Sequence, residues 1–348
     1  MKQDQKLAFI YTLLHFLVDF TTIFLVCKVL TGPIVGLANH SFVFIIYNLV
    51  AFAGQLPIGI LLDFLQKNRL VAAAGCALSG IAFPLSFVFP WLACFIGALG
   101  NGAFHIGAGA DILKMSMPKA GLSGIFVSSG ALGVWLAYKA SGTFFLYFCP
   151  FVMFLATAYL LLSKNLGSDR KFAKIYFTNP KPLVITAVLC FSLTIIIRSF
   201  LGMVMSFSWK AVPYLSLLSV LAVFGGKAVG GLLGDGLGYT RTAVLSLGIS
   251  FVTFLFAFEF PFMGILAIFC FNMTMPLTLT AIAGLCRQKY GFAFGLTTFA
   301  LALGFIPVVF GAGNFFGMPM LLLCVGLSLF LLVFGYLLLD KMQGVAKK

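Results

Sequence analysis

Asp19 is the one acidic residue of this sequence that lies near the middle of a long apolar segment. The other acidic residues fall in loops, near segment ends or in the C-terminal tail. His15 lies four residues before Asp19, so in a helix the two side chains share a face with Tyr11 and Thr22. A buried carboxyl group beside an imidazole can exchange a proton as its surroundings change. The spacing therefore predicts a protonatable site at Asp19 and His15.

Polar side chains at a similar depth occur in three other apolar segments. Asn101 and His105 lie four residues apart in one of them, while Arg198 and Asn272 lie in the other two. We predict that His105 joins the protonatable site around Asp19. The alternative is a static hydrogen-bonded cluster that only holds two helices together.

Arg198 and Lys227 are the two basic residues within the apolar segments. With Asp19 as the only central acid, the surroundings would be net positive, which favours an anionic substrate. The alternative pairs Arg198 with Asp19 and lets the Lys227 ammonium reach the membrane surface.

The composition indicates which kind of protein carries these side chains. Hydrophobic residues make up 62% of the 348 residues and charged residues only 9%, whereas soluble proteins carry about 25% charged residues. The mean hydropathy is +1.13. Too little charge is present to cover a surface in water, so a soluble enzyme, a disordered tail and a nucleic-acid-binding module are excluded. We predict an integral membrane protein embedded in the lipid bilayer.

Apolar runs long enough to cross a bilayer recur along the whole chain, since about 20 residues of helix span the ~30 Å hydrocarbon core. We predict an all-α protein with twelve transmembrane helices in two pseudo-symmetric six-helix bundles, residues 1–163 and 182–348, joined by a cytoplasmic loop at 164–181. The predicted helices are 7–30, 41–62, 70–89, 91–113, 120–140, 143–163, 183–206, 211–233, 242–259, 262–285, 291–313 and 317–339.

Basic residues give the predicted orientation, because Lys and Arg accumulate in short cytoplasmic loops. The net charge is +14. If both termini are cytoplasmic, most basic residues lie in the termini and in the cytoplasmic loops. Only Lys28, Lys139 and Lys210 then fall on the opposite side. We therefore predict a multi-pass protein of the cell membrane with both ends in the cytoplasm.

Two loops repeat one motif at a constant offset. GILLDFLQKNR at 59–69 follows the second predicted helix, and GLLGDGLGYTR at 231–241 follows the eighth. The repeated positions are Gly59 with Gly231, Asp63 with Asp235, and Arg69 with Arg241. The repetition indicates two related halves in parallel arrangement, which is known among transporters.

The repeated motif, G-x-x-x-D-x-x-G-x-x-R, resembles the signature loop of the major facilitator superfamily, although Gln66 replaces its glycine in the first copy. The resemblance implies two bundles that expose a central site to each side alternately. It also implies that the six repeated loop residues gate the cytoplasmic side. Their alternative role is in topology and helix capping.

The resemblance implies that helices one, four, seven and ten line a central cavity. The candidate substrate-binding residues on these helices are Tyr11, Asn101, Arg198 and Asn272. Lys227 of the eighth predicted helix is the fifth candidate, because it is the other basic residue within the apolar segments. Within the superfamily, residues 97–133 and the His15–Asp19 spacing resemble fosmidomycin-resistance-type facilitators. Here Ile106 replaces the proline that follows the histidine in that branch, and the glycine–proline pair of proton-driven exporters is missing from helix five.

The leading interpretation is a secondary active transporter of a small organic solute, coupled to protons and able to act as a monomer. A proton-driven drug efflux antiporter, an integral-membrane transferase and a channel are the alternatives. No ATP-binding GxxxxGK[ST] loop is present. The eight cysteines form no CxxC pair, so neither a cofactor nor a metal is expected, and nucleic acid is not an expected partner.

Overall fold

The computed structural model describes residues 3–163 and 181–346. These residues are helical apart from short connections, and the described ranges contain no strand. All but the last residue of the predicted central loop, 164–181, lies outside the described residues.

Six helices form the first half of the described chain. The first ends in a π-helical segment at Leu25–Leu30, and the second contains another at Leu49–Ala53. Such segments free backbone groups from the regular α-helical pattern and are common near functional sites. The helices are α1 (Gln3–Leu30), α2 (His40–Leu65), α3 (Asn68–Ser86), α4 (Pro90–Ser116), α5 (Gly121–Lys139) and α6 (Phe144–Leu162).

Six more helices form the second half of the described chain. One of them is interrupted at Met273, where two α-helical pieces meet. The helices are α7 (Lys181–Val204), α8 (Pro213–Leu237), α9 (Tyr239–Phe254), α10 (Pro261–Leu285), α11 (Tyr290–Val309) and α12 (Met318–Ala346).

The helices confirm the predicted all-α membrane architecture. Eleven of the twelve described helices are long and apolar enough to cross a membrane. The remaining one, α9, has 16 residues and continues as turns to Glu259. Two of the predicted helix boundaries, near residues 90 and 142, are breaks in the structure: α4 begins at Pro90 and the chain turns at Gly142, whose φ of +104° favours glycine.

The described residues form two compact units with similar internal packing. The first unit comprises residues 3–115, 129–163 and 289–299, and the second comprises 116–128, 181–288 and 300–346. In the first, α3 packs on α6 and α1 on α6; in the second, the corresponding helices pack as α9 on α12 and α7 on α12. Each unit also includes a short segment from the other half of the sequence, which contains the start of α11 or of α5.

Large apolar side chains cover the outer surface of these helices. Phe64 is 82% exposed and Phe310 is 85% exposed. Exposure of apolar surface to water costs about 25 cal/mol per Å². In lipid this cost disappears, and the helices satisfy their own backbone hydrogen bonds.

A buried aromatic cluster of the first unit adjoins Asp19. The ring centroids of Phe20, Phe24 and Phe145 lie between 5.3 and 6.0 Å apart. All of these rings belong to one apolar core. Because Phe20 follows Asp19 directly, this core fixes the rotation of α1 that turns Asp19 toward α4.

Candidate functional site

Asp19 lies between two histidines in the first unit. Its Oδ2 is 3.3 Å from Nε2 of His15, and its Oδ1 is 3.5 Å from Nε2 of His105. The two imidazole rings meet edge to face with centroids 4.5 Å apart. The structure therefore brings the three predicted proton-coupling residues together, in a cluster whose side chains are between 6% and 15% exposed.

Amide and hydroxyl groups extend this cluster. Nδ2 of Asn101 donates to Oδ1 of Asp19 at 2.9 Å and to Oγ1 of Thr22 at 3.0 Å. The hydroxyl of Tyr47 in α2 donates to the same Thr22 oxygen at 2.8 Å. The predicted stripe on α1 thus faces α4, and α2 reaches it through Tyr47.

Gly130 in α5 closes the cluster from another side. A Cβ atom at this position would lie 2.1 Å from Oδ2 of Asp19 and 2.7 Å from Nε2 of His15. Only a residue without a side chain fits there, so the α5 backbone packs directly on the carboxylate and limits its access to water.

The chemistry of the cluster depends on the tautomer of His105. Its Nδ1 lies 2.8 Å from the backbone carbonyl oxygen of Asn101. A carbonyl oxygen only accepts, so Nδ1 must carry a hydrogen. In neutral His105 the lone pair on Nε2 would then face the Asp19 carboxylate, which is also an acceptor. The pair requires a cation between the two atoms or a proton on one of them.

Either a proton or a metal ion has the charge to satisfy these atoms. Single ligand atoms of His15, Asp19 and His105 all lie within 4.8 Å of one another, close enough to hold one metal ion. The sequence predicts a proton.

A second, partly buried carboxylate, Asp111, contacts the same two helices. The Tyr11 hydroxyl donates to Oδ2 of Asp111 at 2.9 Å, and Nδ2 of Asn68 donates to its Oδ1 at 2.8 Å. The sequence predicts Tyr11 to contact substrate, whereas the structure gives its hydroxyl a carboxylate partner.

The remaining predicted substrate-binding residues lie in the second unit. Nη1 of Arg198, which is 8% exposed, donates to Oγ1 of Thr278 at 3.3 Å. Nζ of Lys227 donates to the carbonyl of Val127 at 3.3 Å. Nδ2 of Asn272 donates to the carbonyl of Ile268 in its own helix at 2.8 Å.

Asp63 binds the first turn of a helix in the first unit. Its two oxygens accept from the backbone N–H groups of Gly291 and Phe292 at 2.9 and 2.8 Å. The absence of a side chain at Gly59 allows this approach, since a Cβ there would lie 2.1 Å from the Gly291 oxygen.

Asp235 makes the corresponding contact in the second unit. Its oxygens accept from the backbone N–H groups of Ala120 and Gly121 at 2.7 and 2.8 Å. A Cβ at Gly231 would lie 2.5 Å from the Ala120 oxygen. The predicted repeat therefore places equivalent acid and glycine residues in equivalent contacts.

The basic residues of the repeated motif have different surroundings. Nη1 of Arg69 donates to the carbonyl of Ser163 at the end of α6, at 2.8 Å. Arg241 is exposed at the start of α9.

Similar folds occur among solved transporter structures. The Escherichia coli fucose:proton symporter FucP, solved as an asparagine-to-alanine variant, is 12% identical, with 96% of this chain and 99% of that chain covered and a TM-score of 0.64. A bacterial homologue of the iron transporter ferroportin, in an outward-facing state, is 14% identical, with 99% and 100% covered and a TM-score of 0.58. The human organic anion transporter MFSD10 is 16% identical, with 97% and 100% covered and a TM-score of 0.68.

The chain has the major facilitator fold. Each of the three similar structures is a transporter, and the transferase alternative has no counterpart among them. Comparison with known protein families and with curated proteins finds no match. The fosmidomycin-resistance-type branch therefore stays a prediction.

Several polar residues of this facilitator fold were not predicted from the sequence. Tyr47 belongs to the Asp19 cluster and Asn68 to the Asp111 cluster, and the sequence placed Asp111 only among the acids near segment ends. Gln55 is 1% exposed, and its Oε1 has no hydrogen-bond partner in the described structure. The signal visible in the sequence is a glutamine within a long apolar segment, which could have singled out Gln55.

Proposed function

We propose that this chain is a secondary active transporter that moves a small organic solute by alternating access and is coupled to protons through Asp19, His15 and His105. The fold supports transport, because three transporters share it along nearly their whole length. Coupling to protons and the class of solute are proposals that rest on the site.

The observation that carries proton coupling is the contact between His105 and the Asn101 carbonyl. It fixes the hydrogen on Nδ1, so Nε2 and the Asp19 carboxylate can face each other favourably only when a proton or another cation is bound there, and we propose that it is a proton. Loss of that proton leaves a buried carboxylate against a lone pair. The cluster therefore has two protonation states that differ in energy, which a coupled transporter requires.

The guanidinium of Arg198 supports an anionic solute. The contact with Thr278 uses one of its five N–H donors, and a planar guanidinium binds a carboxylate in a bidentate manner. We propose that Arg198 and Lys227 contact the anionic group, and that Asn101, Asn272 and Tyr11 are the other candidates for contact with the solute.

The carboxylates of Asp63 and Asp235 support gating. Each binds a helix start that comes from the other half of the sequence. We propose that both contacts, with Gly59 and Gly231 beneath them, break when the cytoplasmic side opens. In this proposal Arg69 anchors α3 to the end of α6, and Arg241 contributes from the surface.

Uptake into proteoliposomes tests the coupling. A pool of small organic acids is offered under an imposed pH gradient to the wild type, to Asp19→Asn and to Asp340→Asn, which neutralises an exposed acid. We expect uphill accumulation of an unmodified acid by the wild type and Asp340→Asn, and its loss in Asp19→Asn because the proton site is gone.

Two outcomes would contradict the proposal. Uphill accumulation by Asp19→Asn with unchanged pH dependence would make Asp19 structural. Stoichiometric binding of Zn²⁺ by the wild type but not by Asp19→Asn, without any proton-driven uptake, would identify the cluster as a metal site. Proton-driven loss of loaded compounds from the vesicles would indicate the efflux alternative.

A further inference from the structure

Asp111 forms a second, partly buried acidic cluster that the coupling site does not include. Its carboxylate accepts one hydrogen bond from Tyr11 of α1 and one from Asn68 of α3. Tyr11 is fully buried. A buried carboxylate is costly in a membrane protein and is a functional candidate by default.

The two clusters lie on the same pair of helices. Tyr11 precedes His15 by one helical turn, about 6 Å along α1. Asp111 follows His105 by six residues on α4, about 9 Å along its axis. Asp111 is also level with Asn68, the first residue of α3, and thus lies nearer the end of the bundle where α3 begins.

Polar and charged groups face Asp111 from three helices. Tyr11 approaches from α1, Asn68 and Arg69 from α3, and Lys114 from its own helix. The Asp111 carboxylate therefore has two hydrogen-bond donors and two cations around it.

We infer that Asp111 is a second proton-binding residue, which exchanges protons between the Asp19 cluster and the side of the membrane where α3 begins. The inference rests on the proposed proton coupling. In the step, the Tyr11 hydroxyl gives its proton to the Asp111 carboxylate while it accepts another from the Asp19 cluster. The Asp19 cluster loses one proton, Asp111 gains one, and no tyrosinate is formed.

Infrared spectroscopy of the full chain in lipid tests this inference without a substrate. The carbonyl-stretch band of a protonated carboxyl group is followed after a pH jump in the wild type, Asp111→Asn, Asp19→Asn and Tyr11→Phe. We expect each aspartate variant to remove one band. We also expect Asp111→Asn and Tyr11→Phe to slow protonation of Asp19 by roughly 100-fold, the usual contribution of a positioned proton donor.

Tyr11→Phe separates a relay from a structural role, because it keeps the ring and the Asp111 carboxyl group. Loss of thermal stability in Tyr11→Phe with an unchanged rate of Asp19 protonation would overturn the inference. A spectrum of Asp111→Asn that keeps every carboxyl band of the wild type would also overturn it. Absence from the wild type of both the Asp19 carboxyl band and a protonated-imidazole band, with the Asp111 band present, would instead contradict the proposed coupling.

Discussion

Gln66 holds the turn between α2 and α3 in the left-handed region, with φ at +53°. Its counterpart in the second copy of the motif is Gly238, whose φ is +89°. The left-handed conformation costs a residue with a Cβ atom about 1–2 kcal/mol. Gln66 offsets part of this cost with a hydrogen bond from its Nε2 to the Asp63 carbonyl at 2.6 Å.

Gln66→Gly is expected to stabilise the protein by about 0.5–1 kcal/mol, because relief of the backbone strain exceeds the lost hydrogen bond and the added freedom of the unfolded chain. Thermal unfolding in detergent measures the effect. Gln66→Ala is the matched control, since it removes the same amide group but keeps the Cβ atom. A decrease in stability for Gln66→Gly as large as that for Gln66→Ala would contradict the prediction.

Helical spacing was sufficient to predict that Asp19 and His15 lie together. His105 was predicted from its depth in another segment, and the structure brings it to the same carboxylate. The Tyr11–Asp111 contact was missed, since it joins residues 100 positions apart and a single sequence carries no record of such pairings. The proton-coupling and substrate-binding roles remain predictions.

Asp63 and Asp235 each combine two stabilising effects at the start of a helix. Each carboxylate satisfies two backbone N–H groups that have no partner inside their own helix. Its negative charge also lies at the positive end of the helix dipole. A capping interaction of this kind contributes about 0.5–2 kcal/mol.

Asp63→Asn is expected to increase hydrogen exchange at the amides of Gly291 and Phe292, by about tenfold if the cap contributes about 1.4 kcal/mol. The asparagine amide group replaces one accepting oxygen with a donor. Asp235→Asn should act in the same way at Ala120 and Gly121.

Hydrogen exchange measured by mass spectrometry resolves the two helix starts separately. Asp340→Asn serves as the control for a lost negative charge, and neither peptide should change in it. Unchanged exchange at both helix starts in the aspartate variants would rule out the capping role and remove the structural support for gating.

The helices themselves were predictable because the bilayer demands long apolar segments that satisfy their own backbone. The partners of the loop acids were not. The resemblance implied that the loop acids and bases gate the cytoplasmic side. In the structure the acids bind backbone N–H groups. Every residue except proline supplies such a group, so these partners leave no mark in the sequence.

The number of helices that cross the membrane decides whether the two termini lie on the same side. Eleven described helices have the length and apolarity of a span, and α9 has 16 residues extended by turns. If α9 also crosses the membrane, the count is even and both termini share one side.

Reporter fusions are expected to place both termini in the cytoplasm. Green fluorescent protein fused to either end should fluoresce, while alkaline phosphatase fused at the same positions should be inactive. Alkaline phosphatase after residue 210, in the predicted outer loop between α7 and α8, is the positive control. Opposite results for the two termini would mean that α9 does not span the bilayer.

The paired turns at Gln66 and Gly238 have a consequence for the ancestry of the chain. Few side chains still match between its two halves, yet both keep a residue with positive φ within two residues of the start of a new helix. A duplicated gene would have preserved the position of such a turn after most residue identities had diverged. Distant homologues of this protein are therefore better sought by comparison of backbone structures than by comparison of amino-acid sequences.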